Sequence, residues 1–277
     1  MTKTLVFTDM DGTLLDHHTY SFDDAKPALS ALASNHIPVI PTTSKTFSEL
    51  LPLRKLIGLT SPFIIENGAA VFIPHGFFKQ KPGGTTWIDG FWCKSFISNK
   101  NYWIKLLEKI KPEFQGEFQQ FSQMSLEDIQ NATGLDEKSA ALAAKRQFGE
   151  PVLWLGSADR KQQFINAVRE RGATPLEGGR FIHVSGNCNK GIALTWLAAE
   201  YQKQHNAQVR TIALGDGKND VAMLEAADIA VRILSPVNPP PEINKEEVYT
   251  STLPGPAGWN EMLFQLLSLS SRGHIHG

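Results

Sequence analysis

Cysteine is nearly absent: the 277 residues hold two, Cys93 and Cys188. Far apart and without Cys-x-x-Cys spacing, they argue against a disulfide framework and a thiolate zinc site. Charge of one sign is lacking too. Lys and Arg number 27 against 28 Asp and Glu, a formal net charge of -1. Nothing in that balance favours a nucleic acid or an anionic membrane surface, so a small-molecule partner is expected. No run approaches the ~18 apolar residues of a membrane span. Met1-Thr2-Lys3-Thr4 leads straight into a short apolar stretch, without the apolar region and small-residue cleavage site of a signal peptide. These absences point to a cytoplasmic chain with neither nucleic acid nor membrane as partner, and leave its oligomeric state open. Internal repeats and low-complexity tracts are missing as well. The terminal Ser-Arg-Gly-His-Ile-His-Gly, with two alternating histidines, reads as a frayed tail rather than a metal site.

What is present is an alternation of short apolar runs and amphipathic stretches. Leu5-Val6-Phe7 reads as a fully buried parallel strand that stops at the polar cluster Thr8 to Thr13. Ser21 with Asp24 reads as a capping box opening a helix over Ala25, Ala28, Leu29 and Leu32. Pro38-Val39-Ile40, a helix from Thr46 to about Gly58 with Pro52 inside it, and Phe63-Ile64-Ile65 extend the series. Strand, helix, strand, helix, strand is the pattern of a parallel sheet covered by helices. After Val71-Phe72-Ile73 the texture turns rich in Pro, Gly and aromatics, an exit from the first domain. Helices are expected near 102–110, 125–133, 136–147 and 158–171, and strands at 152–155 and 180–184, the latter alternating as a sheet with one wet face does. The doubly wound pattern returns with a helix over 191–200, a strand over 209–214, a helix over 220–227, a strand over 229–231 and a closing helix over 258–267. The fold class is α/β: a doubly wound, Rossmann-like core at 1–83 and 188–277, split by an inserted α+β domain at 84–187.

Asp9-Met10-Asp11-Gly12-Thr13 follows the first strand, so Asp9 and Asp11 stand at the carboxyl edge of the sheet, where open α/β folds bind ligands. A carboxylate attacks phosphorus only if the phosphate's charge is neutralised, which calls for a divalent cation and a fixed lysine. Asp9 suits the nucleophile; Asp11 suits the acid that protonates the departing alkoxide and later takes a proton from water. Taken alone, the pentapeptide has a lesser reading as a capped turn whose acids bond only to backbone amides. Gly215-Asp216-Gly217-Lys218-Asn219-Asp220 also lies between a strand and a helix. Asp9 and Asp216, with the Asp11 carbonyl, suit the oxygen coordination of Mg²⁺, and Asn219 and Asp220 suit support one turn further on. In isolation this string is also a calcium-like turn or a helix N-cap. Thr43, in Thr42-Thr43-Ser44-Lys45, offers a hydroxyl and exposed amides at a helix start, and Lys190 opens a later helix with a cation. Each has an ordinary reading, as a cap and as a solvated side chain.

Asp9-x-Asp11-Gly12-Thr13, Thr43, Lys190 and Gly215-Asp216-Gly217-x-Asn219-Asp220 resemble, in order and context, the four motifs of the haloacid dehalogenase superfamily. The resemblance implies Asp9 as nucleophile and metal ligand, Asp11 as acid/base, Thr43 as phosphate contact, Lys190 as charge-neutralising cation and Asp216 as metal acid, with Mg²⁺ as cofactor. It also implies a C2-type α+β cap, since the insertion falls between the second and third motifs. An acid at position 11 is the phosphatase variant. Ser44-Lys45-Thr46, Glu66-Asn67-Gly68-Ala69, Glu150-Pro151, Arg180-Phe181-x-His183 and Pro254-Gly255-Pro256-x-Gly258-Trp259 are similar to the mannosyl-3-phosphoglycerate phosphatase branch. This finer resemblance implies a glycosyl phosphoglycerate substrate held by Thr43, Ser44, Lys45, Arg180 and His183. Residues 180 and 183 are expected on opposite sides of one strand, and Arg180 is the preferred carboxylate grip. A broader sugar-phosphate phosphatase, a phosphomannomutase-like enzyme and an inactive phosphosugar-binding protein are the alternatives.

Overall fold

The computed structural model describes residues 2–178, 180–237 and 239–267, so the C-terminal histidine tail lies outside the described residues. In chain order the elements are β1 (Lys3–Thr8), α1 (Lys26–Ser34), β2 (Val39–Pro41), α2 (Phe47–Ile57), β3 (Phe63–Ile65), β4 (Ala70–Pro74), β5 (Thr86–Ile88) and β6 (Phe91–Ser95). There follow α3 (Lys100–Ile110), β7 (Phe118–Gln120), α4 (Leu126–Thr133), α5 (Glu137–Ala143), β8 (Glu150–Trp154), α6 (Ala158–Glu170), β9 (Leu176–Gly178) and β10 (Phe181–Val184). The chain closes with α7 (Lys190–His205), β11 (Val209–Gly215), α8 (Val221–Ala226), β12 (Ile229–Leu234), β13 (Val248–Pro254) and α9 (Gly255–Leu267). Among the described residues no helix is long and apolar enough to cross a membrane. Cys93 and Cys188 are free, buried thiols.

The structure divides into two units, the first comprising Met1–Thr43, Ile57–Lys94 and Asn189–Gly277. Its main sheet has the order β13-β12-β11-β1-β2, and every pairing in it is parallel. Leu5, Val6 and Phe7 are fully buried, as a strand covered on both faces requires. From β1 the chain steps to β2 on one side, while β11, β12 and β13 build outward on the other. The order therefore reverses between β1 and β11, the place where open α/β sheets bind ligands.

Three local expectations need correction in this unit. The run 63–65 makes only one parallel bridge toward the main sheet, Thr42 to Ile64, and otherwise pairs antiparallel with β4. It begins a second sheet of order β3-β4-β6-β5. The β5–β6 hairpin belongs here because Phe91 packs edge-on against Phe63 (5.3 Å) and Phe72 (6.2 Å). Residues 84–94 thus stay with the first unit, past the boundary expected at 84. Finally, Ser21 forms no box with Asp24: its Oγ accepts from the Asp23 amide and donates to the Asp23 carboxylate, just ahead of a 3-10 turn, Asp23–Ala25, and α1 begins after that turn.

The second unit comprises Ser44–Leu56 and Ser95–Cys188. Its antiparallel sheet has the order β7-β8-β10-β9. One face, with Val152, Ile182 and Val184, packs on α3 and α6 through Trp103, Leu107, Phe164 and Val168. Phe181 packs instead against Phe121, Ile129, Ala140 and Ala143. Along β10 half-buried and buried residues alternate. α2 is counted here, where Thr46 Oγ1 donates to the Leu142 carbonyl at 3.1 Å. α5 stops at Ala143, earlier than the expected 147.

Candidate active site

Asp9 leaves the end of β1 with its amide donating to the Leu214 carbonyl at 2.9 Å, so the first acid is pinned directly to β11. Thr8 Oγ1 donates to the Asp9 carbonyl (2.7 Å) and accepts from Trp259 Nε1 (3.0 Å). A tight turn follows, in which the Thr13 and Leu15 amides donate to the Met10 carbonyl while Met10, Leu14 and Leu15 are fully buried. Gly12 sits at φ +77°, and a Cβ there would stand 2.7 Å from Asp216 Oδ2. Glycine is therefore needed for conformation and for space, because the second acid motif closes onto the first at this point. Thr13 Oγ1 donates to Asp216 Oδ1 at 3.0 Å.

Asp216 follows β11, and Asp220 folds back beneath it. Asp220 Oδ2 accepts from the Asp216 amide (3.1 Å) and the Gly217 amide (2.9 Å), leaving Oδ1 for Lys190 Nζ at 2.6 Å. A Cβ on Gly215 would lie 2.5 Å from Asp220 Cβ, so that fold-back requires glycine. The N-cap reading of this string is not met, since no side chain caps either helix that starts here, and the Asp220 carboxylate reaches back to the amides before it instead.

Lys190 begins α7, whose N-cap Asn189 accepts from the Ile192 amide at 2.8 Å. Its Nζ donates to Asp9 Oδ1 (2.5 Å) and Asp220 Oδ1, with the side chain fully buried. Gly191 allows that burial, since a Cβ there would stand 2.2 Å from the Ala222 carbonyl oxygen and force α7 and α8 apart. Burial alone would lower the lysine's affinity for its proton, but the Asp220 and Asp9 carboxylates outweigh it and hold the ammonium charged. Burial, and then the Asp220 charge, raise the Asp9 carboxyl well above the ordinary carboxylate range, against the pull of Lys190.

Thr43 is buried, its amide donating to the Ile64 carbonyl (3.0 Å) and its carbonyl accepting from the Asn67 amide (2.9 Å). The expectation of exposed amides is corrected for Thr42 and Thr43, whose amides donate to the Thr8 and Ile64 carbonyls. The Thr43 amide is taken, and the Thr46 amide donates to Glu49 Oε2 at 2.7 Å in a cap.

A model of the haloacid dehalogenase-like hydrolases matches residues 6–81 and 153–234. The chain belongs to this family. It is 34% identical to a glucosyl-3-phosphoglycerate/mannosyl-3-phosphoglycerate phosphatase of Persephonella marina, over 97% of this chain and 99% of that protein. It is 35% identical to a protein of the same name from Methanococcoides burtonii, over 96% and 97%. The fold matches a crystal structure from Thermoplasma acidophilum with TM-score 0.66 at 15% identity, covering 98% of this chain and all of that one (100%).

In this haloacid dehalogenase-like hydrolase the carboxylate oxygens of Asp9, Asp216 and Asp220 lie within 4.8 Å of one another, all three residues buried. Three buried carboxyl groups share one ammonium here, and repulsion from Asp220 is part of what raises the Asp9 carboxyl. An unbalanced buried charge is costly, and the all-oxygen donor set fits a hard divalent cation that would balance it. Both Asp220 oxygens are engaged, Oδ1 by Lys190 and Oδ2 by two backbone amides, which makes Asp220 a support beside Asp9 and Asp216. The half-buried Asp11 is not one of the three, though its charge reaches Asp9 and adds to the upward shift there.

The remaining sequence-predicted residues fall in the second unit. Ser44 and Lys45 are half-buried, and the Ser44 carbonyl accepts from Arg146 Nη2 at 3.4 Å. Arg180 is exposed in the turn before β10, its Nη1 donating to the Asn131 carbonyl at 3.1 Å. The strand-face argument does not apply to it, because β10 begins only at Phe181. His183 is half-buried; burial, and then the neighbouring Arg146 cation, push its imidazole down to about 4, so it is neutral at pH 7.

Sequence reasoning missed two polar residues as members of these clusters. Arg146 carried no motif, and only the fold brings it to Ser44 and His183. Asn67 was visible within Glu66-Asn67-Gly68, where an Asn-Gly pair signals positive φ. Its Oδ1 accepts from Asn219 Nδ2 at 3.2 Å.

Proposed function

We propose that the chain is a Mg²⁺-dependent phosphomonoesterase that converts mannosyl-3-phosphoglycerate or glucosyl-3-phosphoglycerate to the glycosylglycerate and phosphate, working in the cytoplasm. The observation that carries the chemistry is Lys190 Nζ held between Asp9 and Asp220 at 2.5 and 2.6 Å. The substrate follows that of the two relatives, both named glucosyl-3-phosphoglycerate/mannosyl-3-phosphoglycerate phosphatase and matched over nearly their whole length.

Asp9 attacks phosphorus in line and the bond from phosphorus to the ester oxygen breaks, leaving an acyl phosphate on Asp9. Asp11 gives its proton to the departing alkoxide. Water then attacks the same phosphorus, Asp11 takes the water's proton, and the Asp9 carboxylate is released with inorganic phosphate. Lys190 draws Asp9 toward its ionised form and offsets charge in both steps, and Asp220 holds the lysine in place. Asp9 and Asp216, with the Asp11 carbonyl, would hold Mg²⁺, which would supply electrostatic stabilisation of the transferring phosphoryl oxygens. Asn219 and Asp220 support that set, while Thr43, Ser44, Lys45, Arg180 and His183 are assigned to the phosphate, carboxylate and sugar.

Phosphate release from mannosyl-3-phosphoglycerate, glucosyl-3-phosphoglycerate, sucrose phosphate and mannose phosphate tests the proposal. Selective release from the first two, abolished by EDTA, is expected. Equal release from all four would discard the named substrates, and activity only with a bisphosphate activator would show a mutase.

A further inference from the structure

Glu66, Asn67 and Gly68 adopt positive φ in succession, +47°, +59° and +93°. Such a run is expensive for residues bearing a Cβ, and persists where the surroundings fix it. Here they do so from two sides. The Asn67 amide donates to the Thr43 carbonyl at 2.9 Å. A Cβ on Gly68 would stand 2.1 Å from the Asn189 carbonyl oxygen and 2.8 Å from the Lys190 nitrogen, so the turn is seated against the start of α7. The Asn67 side chain is thereby anchored to the segments carrying Thr43 and Lys190, and from there it meets Asn219.

The direction of that hydrogen bond matters. A primary amide has an acceptor end and a donor end of nearly the same shape, so its partners decide which way it faces. Asn67 Oδ1 takes the Nδ2 end of Asn219, which turns the Oδ1 end the other way. Asn219 Oδ1 lies over Gly217, the residue that follows Asp216, 2.7 Å from where a Cβ on that glycine would be. Water on a cation offers only protons outward, so an acceptor beside the metal acid can hold it and a donor cannot. We infer that Asn67 is a positioning residue for the metal site: by accepting the Asn219 N–H it presents the Asn219 oxygen to cation-bound water beside Asp216. This rests on the reading that Asp216 helps hold a divalent cation. Position 67 needs a left-handed backbone and a side-chain acceptor together, which Asn and Asp supply.

The test is Mg²⁺ binding by calorimetry on the full chain without substrate, alongside Mg²⁺ activation of phosphate release. Asn67→Ala is expected to weaken Mg²⁺ binding on the order of 10-fold, the loss typical of a residue that orients a metal's surroundings. Asn67→Gly, free of backbone strain, should weaken it equally, while Asn67→Asp keeps the acceptor and should bind as wild type does. Asn67→Ala combined with Asn219→Ala should be no worse than Asn219→Ala alone. Wild-type binding by Asn67→Gly, an Asp variant as weak as the Ala one, or independent losses in the double variant would each overturn the assignment alone. If the wild-type protein takes up no Mg²⁺, the cation reading itself falls and the assignment with it.

Discussion

Thr13 Oγ1 donates a hydrogen bond to Asp216 Oδ1 at 3.0 Å across 203 positions of the chain. It joins the turn after β1 to the turn after β11, so the two acid motifs are held by a direct contact as well as by strand pairing. The contact also orients Asp216, whose other oxygen lies over Gly12. Thr13→Val keeps the shape and removes the donor. A hydrogen bond to a charged acceptor is worth about 1.5–3 kcal/mol, so the midpoint of thermal unfolding should fall while Thr13→Ser retains it. Weaker Mg²⁺ activation should accompany the loss in the valine variant only.

Gly12→Ala addresses the same junction from the other side. Its φ of +77° costs an L-residue about 1–2 kcal/mol, and the added methyl group would press on Asp216 Oδ2. Displacing that carboxylate should lower kcat/KM on the order of 100-fold, as misplacement near a reacting centre does. Activity within a few-fold of wild type, measured on protein shown to be folded, would mean that Asp216 is not where the chemistry needs it.

Lys190→Met removes the only ammonium bonded to Asp9 and Asp220 among the described residues. Breaking a buried pair this way typically destabilises by about 3–5 kcal/mol, and activity should vanish. The sign with pH follows from Asp9, whose carboxyl is already raised above its unfolded value by burial and by Asp220. With the lowering influence of Lys190 gone, the Asp9 carboxyl of the folded variant is raised further still. The variant's stability should be greatest at low pH and fall as pH rises through the folded value. Thermal melts across pH 4 to about 8 would check this, and a wild-type-like profile would contradict it.

How much of this was legible from residues alone follows from the range of the forces involved. Leu5-Val6-Phe7 and Val209 to Leu214 announce buried parallel strands through local apolarity, and the acids placed after each were read correctly as meeting at one sheet edge. The antiparallel turn-back of β3 onto β4 was not legible, since Phe63-Ile64-Ile65 would be equally apolar in either sheet. Nor was the β5–β6 hairpin, whose attachment depends on Phe91 meeting Phe63 and Phe72 across the chain. Ser21 could bond one position earlier than the capping-box spacing suggested. Arg180 stands in a turn, where strand alternation says nothing about direction. Arg146 acts through partners far away in the chain, so no local pattern marks it, and the Asn-Gly pair marks the backbone at Asn67 but not its distant partner Asn219.

His183 supplies a second pH test, within the second unit. Its folded value of about 4 lies below the ordinary 6.5, through burial and the Arg146 charge. The unfolded chain therefore takes the proton first. The contribution of the neutral imidazole is complete above pH 6.5 and is lost as pH falls from there toward 4. His183→Gln should flatten this part of the stability profile, measured by denaturant unfolding. An unchanged slope would place the titration elsewhere.

The central claim is that Asp9 accepts the phosphoryl group. Rapid acid quenching during turnover, followed by borohydride reduction and peptide mass spectrometry, reads this directly, because an acyl phosphate on aspartate is reduced to homoserine. The expected result is homoserine at position 9, dependent on substrate and Mg²⁺ and absent in Asp9→Asn. Full turnover with no reducible group at Asp9, or with phosphate release surviving in Asp9→Asn, would contradict the account.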